Sequence, residues 1–461
     1  MSAALRAKLA TARTVGSLAR RSGRGGGTSL PGKLLLKLEP HAIGALAGRL
    51  HNGAAAISAT NGKTTTAAMA AAILAGAGHR LVHNRTGANM AGGVASALLE
   101  AVRGSELDGD LGLFEVDEFW LGQVTAELRP RVLALGNLFR DQLDRYGELD
   151  TIADRWAAVV GSLPTSSRLV LNADDPVIAD LGRGRSQVLY FGIEDAGAAL
   201  PEMQHAADSK NCRNCGAAYV YDAVYMGHLG RYRCPACGQA RPRPQLQAQA
   251  IELHGSERAR FTLLTPTGQA QVELPLPGLY NVYNALAAAA LCYALGVQLD
   301  QIVAGLQSVA AVFGRAETVA IGERELQLLL VKNPAGANEV LRTLALEPEP
   351  IDLLAVLNDQ IADGRDVSWI WDADFELLAG RLHSVVCAGT RAAELAVRFR
   401  YAGVPLERLQ AVPALGPALD TVLAGSSGAR VHALPTYTAM LALRQELARR
   451  GCVTSYWQAA G

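Results

Sequence analysis

Ala54-Ala55-Ala56-Ile57-Ser58-Ala59-Thr60-Asn61-Gly62-Lys63-Thr64-Thr65-Thr66 reads as a short apolar strand, a polar turn and the start of an Ala-rich helix. In a strand–loop–helix of this kind the backbone N–H groups of the loop point at phosphate oxygens, and the helix N-terminus adds its positive end. Lys63 is placed to pair with terminal phosphates, and the Thr64 hydroxyl to ligate Mg²⁺. Thr60, Asn61, Gly62 and Thr65 complete the candidate ATP loop. The general phosphate-loop pattern puts a Gly where Ile57 stands, so the match is partial and an ordinary turn is the competing reading.

Working outward, further apolar runs at 111–116, 132–135 and 169–171 end in polar residues and are separated by segments long enough for crossover helices. That alternation predicts a parallel α/β sheet with functional groups at the carboxyl ends of its strands. Glu115 and Asp117 follow the first of these runs, and a single carboxylate suffices to complete a Mg²⁺ shell with Thr64. Glu115 is the better candidate; Asp117 and Glu118 read equally well as a solvated strand end. Asn137, Asp141 and Asp144 form another polar cluster after a strand, and spacing leaves metal, substrate and plain loop open.

The texture breaks between about Glu202 and Gln245 into a polar segment with Pro235, Pro242 and Pro244 near its exit. Within it, Cys212-x-x-Cys215 and Cys234-x-x-Cys237 form two knuckles, the pattern of a closed tetrahedral zinc site that leaves no open position for catalysis. A redox dithiol would need a thioredoxin-like surrounding that is missing. Cys292, Cys387 and Cys452 complete the seven cysteines in apolar or terminal contexts, and a reducing cytoplasm suits them all. Helical and strand-like runs resume from Ile251 to Leu264 and from Asn281 to Leu295. After Arg315 a second α/β unit begins, with strands near 328–331, 353–357 and 385–387.

At 461 residues, half of them hydrophobic, the chain has room for two or three cores. Its net charge of +0 gives no general attraction to nucleic acid, so any anion site must be local. No apolar run reaches the roughly 20 residues that cross a bilayer. The first forty residues carry Arg6, Lys8, Arg13, Arg20, Arg21, Arg24, Lys33 and Lys37 against Glu39. With Leu5, Leu9 and Leu18 they suggest a basic helix before the loop of Gly23, Arg24, Gly25, Gly26 and Gly27, suited to an anionic surface and peripheral to a membrane-bound substrate.

The chain resembles the Mur ligases through Ala59-Thr60-Asn61-Gly62-Lys63-Thr64, Glu115, Asn172-Ala173-Asp174-Asp175, Asn281-x-x-Asn284 and Gly314-Arg315. The four-cysteine insertion, His83-Asn84-Arg85-Thr86-Gly87-Ala88-Asn89-Met90 and Ala362-Asp363-Gly364-Arg365-Asp366-Val367-Ser368-Trp369 resemble its amidating members. Where that family has D-H-x-D, this chain has Asp141-Gln142-Leu143-Asp144, so a second Mg²⁺ site lacks its histidine.

The resemblance implies ATP-dependent amidation of the D-glutamate α-carboxylate of the lipid II stem peptide through an acyl phosphate. It places Asn281 and Asn284 near the adenine and Arg315 near the phosphates. None of Cys292, Cys387 and Cys452 lies in a nucleophile elbow, so glutamine hydrolysis falls outside this chain. The resemblance supplies a GatD-like glutaminase subunit as heterodimer partner, with Asp366 reaching across to orient its catalytic His; on residues alone Asp366 reads as a turn or cap. The implied plan is a basic helical segment (1–45), a Mur-ligase-type central ATP-binding domain with a parallel sheet (46–205 and 246–316), an inserted Cys₄ zinc ribbon (206–245) and a C-terminal α/β, Rossmann-like domain (317–461). Two other readings compete: a stand-alone Mur-type or folylpolyglutamate-type ligase that adds an amino acid, and an ATP-driven switch whose ribbon is a binding module.

Overall fold

The computed structural model describes residues 2–21, 29–84, 88–141, 149–205, 207–309 and 315–453. The strands run in chain order β1 (Ala54–Ser58), β2 (Leu81–His83), β3 (Val102–Arg103), β4 (Glu106–Leu107), β5 (Leu111–Glu115), β6 (Val132–Leu135), β7 (Arg168–Asn172), β8 (Val188–Ile193), β9 (Val220–Met226), β10 (Leu229–Arg233), β11 (Leu246–His254), β12 (Arg258–Thr265) and β13 (Gly268–Leu274) in the first part of the chain. The second part adds β14 (Arg315–Ile321), β15 (Arg324–Leu329), β16 (Ile351–Val356), β17 (Leu382–Ala388), β18 (Leu409–Ala411) and β19 (Arg430–Pro435).

A nine-stranded sheet has the order β2-β5-β1-β6-β7-β8-β11-β12-β13, parallel from β2 to β11. Alternation along β1 explains its composition: Ala55 and Ile57 face one hydrophobic core, Ala54 and Ala56 the other. Both faces are covered, so the strand is apolar at nearly every position. The chain leaves β1 for β2 on one side and later returns to β6 on the other. The carboxyl end of β1 is therefore a switch point where the sheet opens a crevice.

The edge differs from an all-parallel expectation, because β11, β12 and β13 form an antiparallel meander. One face of an edge meander meets water, and Glu252, Arg260 and Glu273 alternate with buried Ala259, Phe261 and Val272 to suit it. A six-stranded sheet, β14-β15-β19-β16-β17-β18, is parallel from β15 to β18 and carries its own cores.

The basic N-terminal segment is a helix over Ala3–Arg21, followed by helices Leu30–Leu38 and Ala42–Ala47. Leu9 and Ala12 are buried in the same core as Leu35, Ile43 and Leu46, and Arg13 donates to the carbonyl of Leu99 at 2.7 Å. The segment is thus packed on the central body along one stripe, while Leu18 stays exposed. Its glycine-rich continuation lies outside the described residues. No helix among the described residues is long and apolar enough to cross a membrane.

Candidate active site

The phosphate loop emerges where β1 ends. Gly62 sits at φ +84° immediately before the helix Lys63–Gly76, and a Cβ there would lie 1.9 Å from the Asn284 Oδ1. Only glycine gives the loop both that backbone turn and that close approach. The loop is held from beside by Asn137, which follows β6: its amide accepts from Asn61 N at 2.9 Å and donates to Asn61 O at 3.0 Å.

Lys63 is buried, and its ammonium lies 2.9 Å from Glu118 Oε2. Burial works against the charge, yet Glu118, with Glu115 and Asp117 behind it, holds the lysine pKa above its ordinary value. Lys63 is therefore a fixed cation, ready to exchange Glu118 for an anionic phosphate. Thr64 Oγ1 donates to Glu115 Oε1 at 3.0 Å, bringing together the two groups expected to hold Mg²⁺. Both oxygens are hard donors of the kind Mg²⁺ selects, with open cleft beside them for water and phosphate. Glu115 is set by Asn84, whose amide pairs with its backbone at 2.7 and 2.9 Å, and by Asn89 Nδ2 at 3.4 Å. Of the two carboxylates expected after this strand, Glu115 is the one joined to the loop, through Thr64, while Asp117 accepts from Phe119 N at 3.1 Å and its pKa is raised by burial and by the charge of Glu118.

A cleft of about 410 Å³ runs over this loop and is roofed by the second α/β unit. Three roof residues escaped the sequence reading. Lys332 donates to Thr60 O at 3.1 Å and to Asp141 Oδ2 at 2.5 Å, Asn333 exchanges amide hydrogen bonds with Asn61 at 3.0 and 3.3 Å, and Glu339 lines the cleft. The signal was present: Lys332 and Asn333 directly follow the apolar run expected at 328–331, the position where strand-end polar residues gather.

Asn281 and Asn284 line the cleft as well, but their amides are engaged. Asn281 donates to Pro277 O at 2.7 Å, and Asn284 donates to Asn281 Oδ1 at 3.1 Å while accepting from Thr66 at 3.4 Å. Asn284 braces the phosphate loop directly, and Asn281 supports Asn284. Arg315 opens β14, and its side chain lies outside the described residues, as do Arg85–Gly87, Gln142–Asp144 and Gly314. Asp174 and Asp175 are buried supports: Asp174 accepts from Tyr283 at 2.7 Å and Arg241 at 2.6 Å, and Asp175 caps the helix Pro176–Asp180.

A smaller pocket adjoins the cleft and shares Asp141 and Lys332 with it. Asp366 lies on its rim, exposed, its carboxylate accepting from Ser368 N at 2.8 Å. Hydrogen bonding from the Ser368 side chain, then from its backbone N–H, pulls the acid below its usual range, so Asp366 is an anion at neutral pH. It does cap a turn, and it also presents a free face outward.

The ligand atoms of Cys212, Cys215, Cys234 and Cys237 all lie within 4.8 Å of one another, with Sγ pairs at 3.6 and 3.4 Å. A tetrahedral S₄ shell with metal–sulfur bonds of about 2.3 Å sets sulfurs about 3.8 Å apart, so the cluster fits a single ion. Each knuckle closes on a glycine at φ +76°, Gly216 and Gly238, whose N–H returns to the first cysteine's carbonyl. Tyr219, Tyr221 and Tyr232 pack beneath. The tip of the hairpin β9–β10, at the end opposite the cysteines, reaches the cleft: Met226 lines it, the Tyr225 carbonyl accepts from Arg342 of the roof at 2.9 Å, and the His228 ring lies tilted against Phe139 with centroids 4.6 Å apart.

A phosphate loop at the switch point of a parallel sheet, closed by a second α/β domain, defines the Mur ligase class of fold. Solved structures of low identity agree on that fold: a pseudomurein peptide ligase type C from Methanothermus fervidus (TM-score 0.68, 22% identity, covering 88% of this chain and 80% of that one) and MurF from Acinetobacter baumannii (TM-score 0.64, 20% identity, 90% and 80%). The Mur ligase middle domain family matches residues 57–232, and the MurT ligase C-terminal family residues 330–440. Over 447 residues the chain is 33% identical to the lipid II isoglutaminyl synthase (glutamine-hydrolyzing) subunit MurT of Streptococcus pneumoniae, covering 95% of this chain and 98% of that protein. The same-named subunit of Staphylococcus aureus is 33% identical over 86% of this chain and 88% of its own. This chain belongs to the MurT family.

Proposed function

We propose that this chain is the ATP-dependent synthase subunit of a lipid II isoglutaminyl synthase. It converts the D-glutamate α-carboxylate of the stem peptide to an acyl phosphate and then to the amide, with ammonia from a partner glutaminase. The observation that carries the reading is the adjacency of two features: a cleft holding Lys63 beside the Thr64–Glu115 pair, and a neighbouring pocket whose rim offers the anionic Asp366 to an outside partner.

In this reading the loop N–H groups from Thr60 to Thr65 bind the ATP phosphates, and Lys63 stabilises the negative charge spread over the moving phosphoryl group. Mg²⁺, held by Thr64 and Glu115, would supply further charge neutralisation there. The places of Asn281 and Asn284 near the adenine and of Arg315 at the phosphates rest on family resemblance, and Asn284 also holds the loop in shape. Lys332 and Asn333 close the roof and exclude water, which protects an acyl phosphate from hydrolysis. The four cysteines hold a structural Zn²⁺ with no open position. The reading keeps the division into 1–45, 46–205 with 246–316, 206–245 and 317–461, the third segment being the zinc ribbon. The reaction belongs to peptidoglycan precursor synthesis at the inner face of the membrane, where the basic helix faces an anionic surface.

Asp366 would fix the tautomer of the partner's catalytic His and stabilise its imidazolium. In the two-chain enzyme, Asp366→Ala is expected to lower glutamine-dependent amidation by about 10³–10⁴ and to leave ammonium-dependent amidation close to that of the unaltered protein. Equal loss with both nitrogen sources removes the triad role. Turnover of ATP driven by an amino-acid acceptor without any partner would make the chain a stand-alone ligase instead.

A further inference from the structure

The cleft and the Asp366 pocket meet at an ion pair, Asp141 with Lys332. Asp141 lines both cavities, its side chain is nine-tenths buried, and its two oxygens are unlike. Oδ2 accepts from Lys332 at 2.5 Å, whereas Oδ1 is buried with no hydrogen-bond partner among the described residues. A buried carboxylate oxygen left unpaired is costly unless something arrives to fill it. The other carboxylates of the small pocket are engaged otherwise: Asp363 accepts from Thr438 N at 2.7 Å, Asp366 accepts from Ser368, and Asp372 faces Arg140 at 3.8 Å.

What fits Oδ1 must be small, must donate a hydrogen bond and must not be repelled by the Lys332 ammonium that sits on the other oxygen. A metal ion or ammonium meets that cation at close range, while neutral ammonia does not. We propose that Asp141 is the ammonia-receiving catalytic residue, binding NH₃ as it passes from the Asp366 side into the cleft and presenting its lone pair to the acyl phosphate. The inference rests on the amidation reading above and adds to it the group that handles the nucleophile.

The step balances without a further reactant. One N–H of ammonia donates to Asp141 Oδ1, which turns the nitrogen lone pair towards the carbonyl carbon in the cleft. The C–N bond forms and the C–O bond to phosphate breaks. The surplus proton on nitrogen passes to Oδ1 and from there to the departing phosphate, giving the amide and hydrogen phosphate. Lys332 keeps the carboxylate pointed at the junction and keeps ammonium out, so the protein selects the form of nitrogen that can attack.

The test uses the two-chain enzyme with ammonium chloride as sole nitrogen source, so glutamine hydrolysis plays no part. Asp141→Asn is expected to raise KM for ammonium at least tenfold and to slow amide formation. ATP affinity, and the ammonia-independent positional isotope exchange of ATP that reports acyl phosphate formation, should stay within twofold. An unchanged KM for ammonium overturns the proposal, and so does parallel loss of isotope exchange and amidation, which marks a purely structural residue. If Asp141→Asn fails to fold, Asp141→Glu carries the same test: its displaced carboxylate should raise KM for ammonium several-fold with ATP affinity intact, and an unchanged KM again overturns the proposal. Failure of the unaltered enzyme to amidate with ammonium would instead strike the amidation reading, so the two ideas fail separately.

Discussion

The consecutive residues Thr60–Thr65 form the centre of the cleft floor, whereas the roof brings Lys332 and Glu339 to its lining and Asn333 to Asn61 from the second α/β unit. Floor geometry is local: β1, the turn at Gly62 and the first helical turn are dictated by neighbours in sequence. Roof geometry is long-range, held by Lys332 on Thr60 and by Asn333 on Asn61. In the proposed reaction the floor supplies the charge that acts on the phosphates, and the roof supplies closure. Removing a piece of each should therefore fail in different ways.

Between floor and roof, the larger effect belongs to the floor. Lys63→Ala should lower kcat for amidation by about 10²–10³, with glutamine and with ammonium alike, because a preorganised cation facing the phosphoryl group is lost. A loss confined to glutamine would show that Lys63 serves the partner and not the phosphates.

A second junction between the domains lies away from the cleft, where His432 of β19 faces Ser256 at 3.5 Å. Burial lowers the His432 pKa to about 4, against the opposing influence of Glu347 and Asp352 and with help from Arg430. The unfolded chain takes up this proton near the ordinary value of 6.5, and the folded chain resists until about 4. Stability is then full above that window and falls as pH drops through it, by on the order of 3 kcal/mol at most. Thermal unfolding between pH 7 and pH 4 should show that slope, and His432→Gln should flatten it; an identical slope in the variant would assign the acid sensitivity elsewhere.

The smallest effect tests whether the inserted hairpin belongs functionally to floor or roof. Cys212→Ser combined with Cys215→Ser should abolish zinc binding, from one ion per chain under the four-thiolate rule, and raise KM for ATP roughly tenfold, the equivalent of about 1.4 kcal/mol. Full metal content in that protein would refute the cysteine assignment, and unchanged KM would separate the ribbon from the cleft.

What could be read from the sequence follows the same division. The phosphate loop, Glu115 and the two cysteine knuckles are short-range patterns whose chemistry is complete within a few residues, and the structure brings Thr64 to Glu115 and the four thiols together. The meander β11–β13 was legible only as generic α/β texture, because its period-2 alternation was not separated from the surrounding helices. Asn281 and Asn284 came from resemblance, which does not reveal that the Asn284 amide braces Gly62 and Thr66 while Asn281 supports it. Lys332, Asn333 and the Arg342–Tyr225 contact depend on domain packing across more than a hundred residues, and no local pattern encodes such a distance.

The pairing of Gly62 with Asn284 restricts how this site can change. The Asn284 oxygen occupies the space that any side chain at 62 would need, and φ at 62 is strained for every other residue. A substitution at 62 must therefore be preceded by shortening at 284, and even then the backbone penalty remains. Shortening 284 first removes the Thr66 contact and leaves a buried gap. Each mutational path away from this pair begins with a step that loosens the nucleotide loop, so the two positions are tied as a single heritable unit.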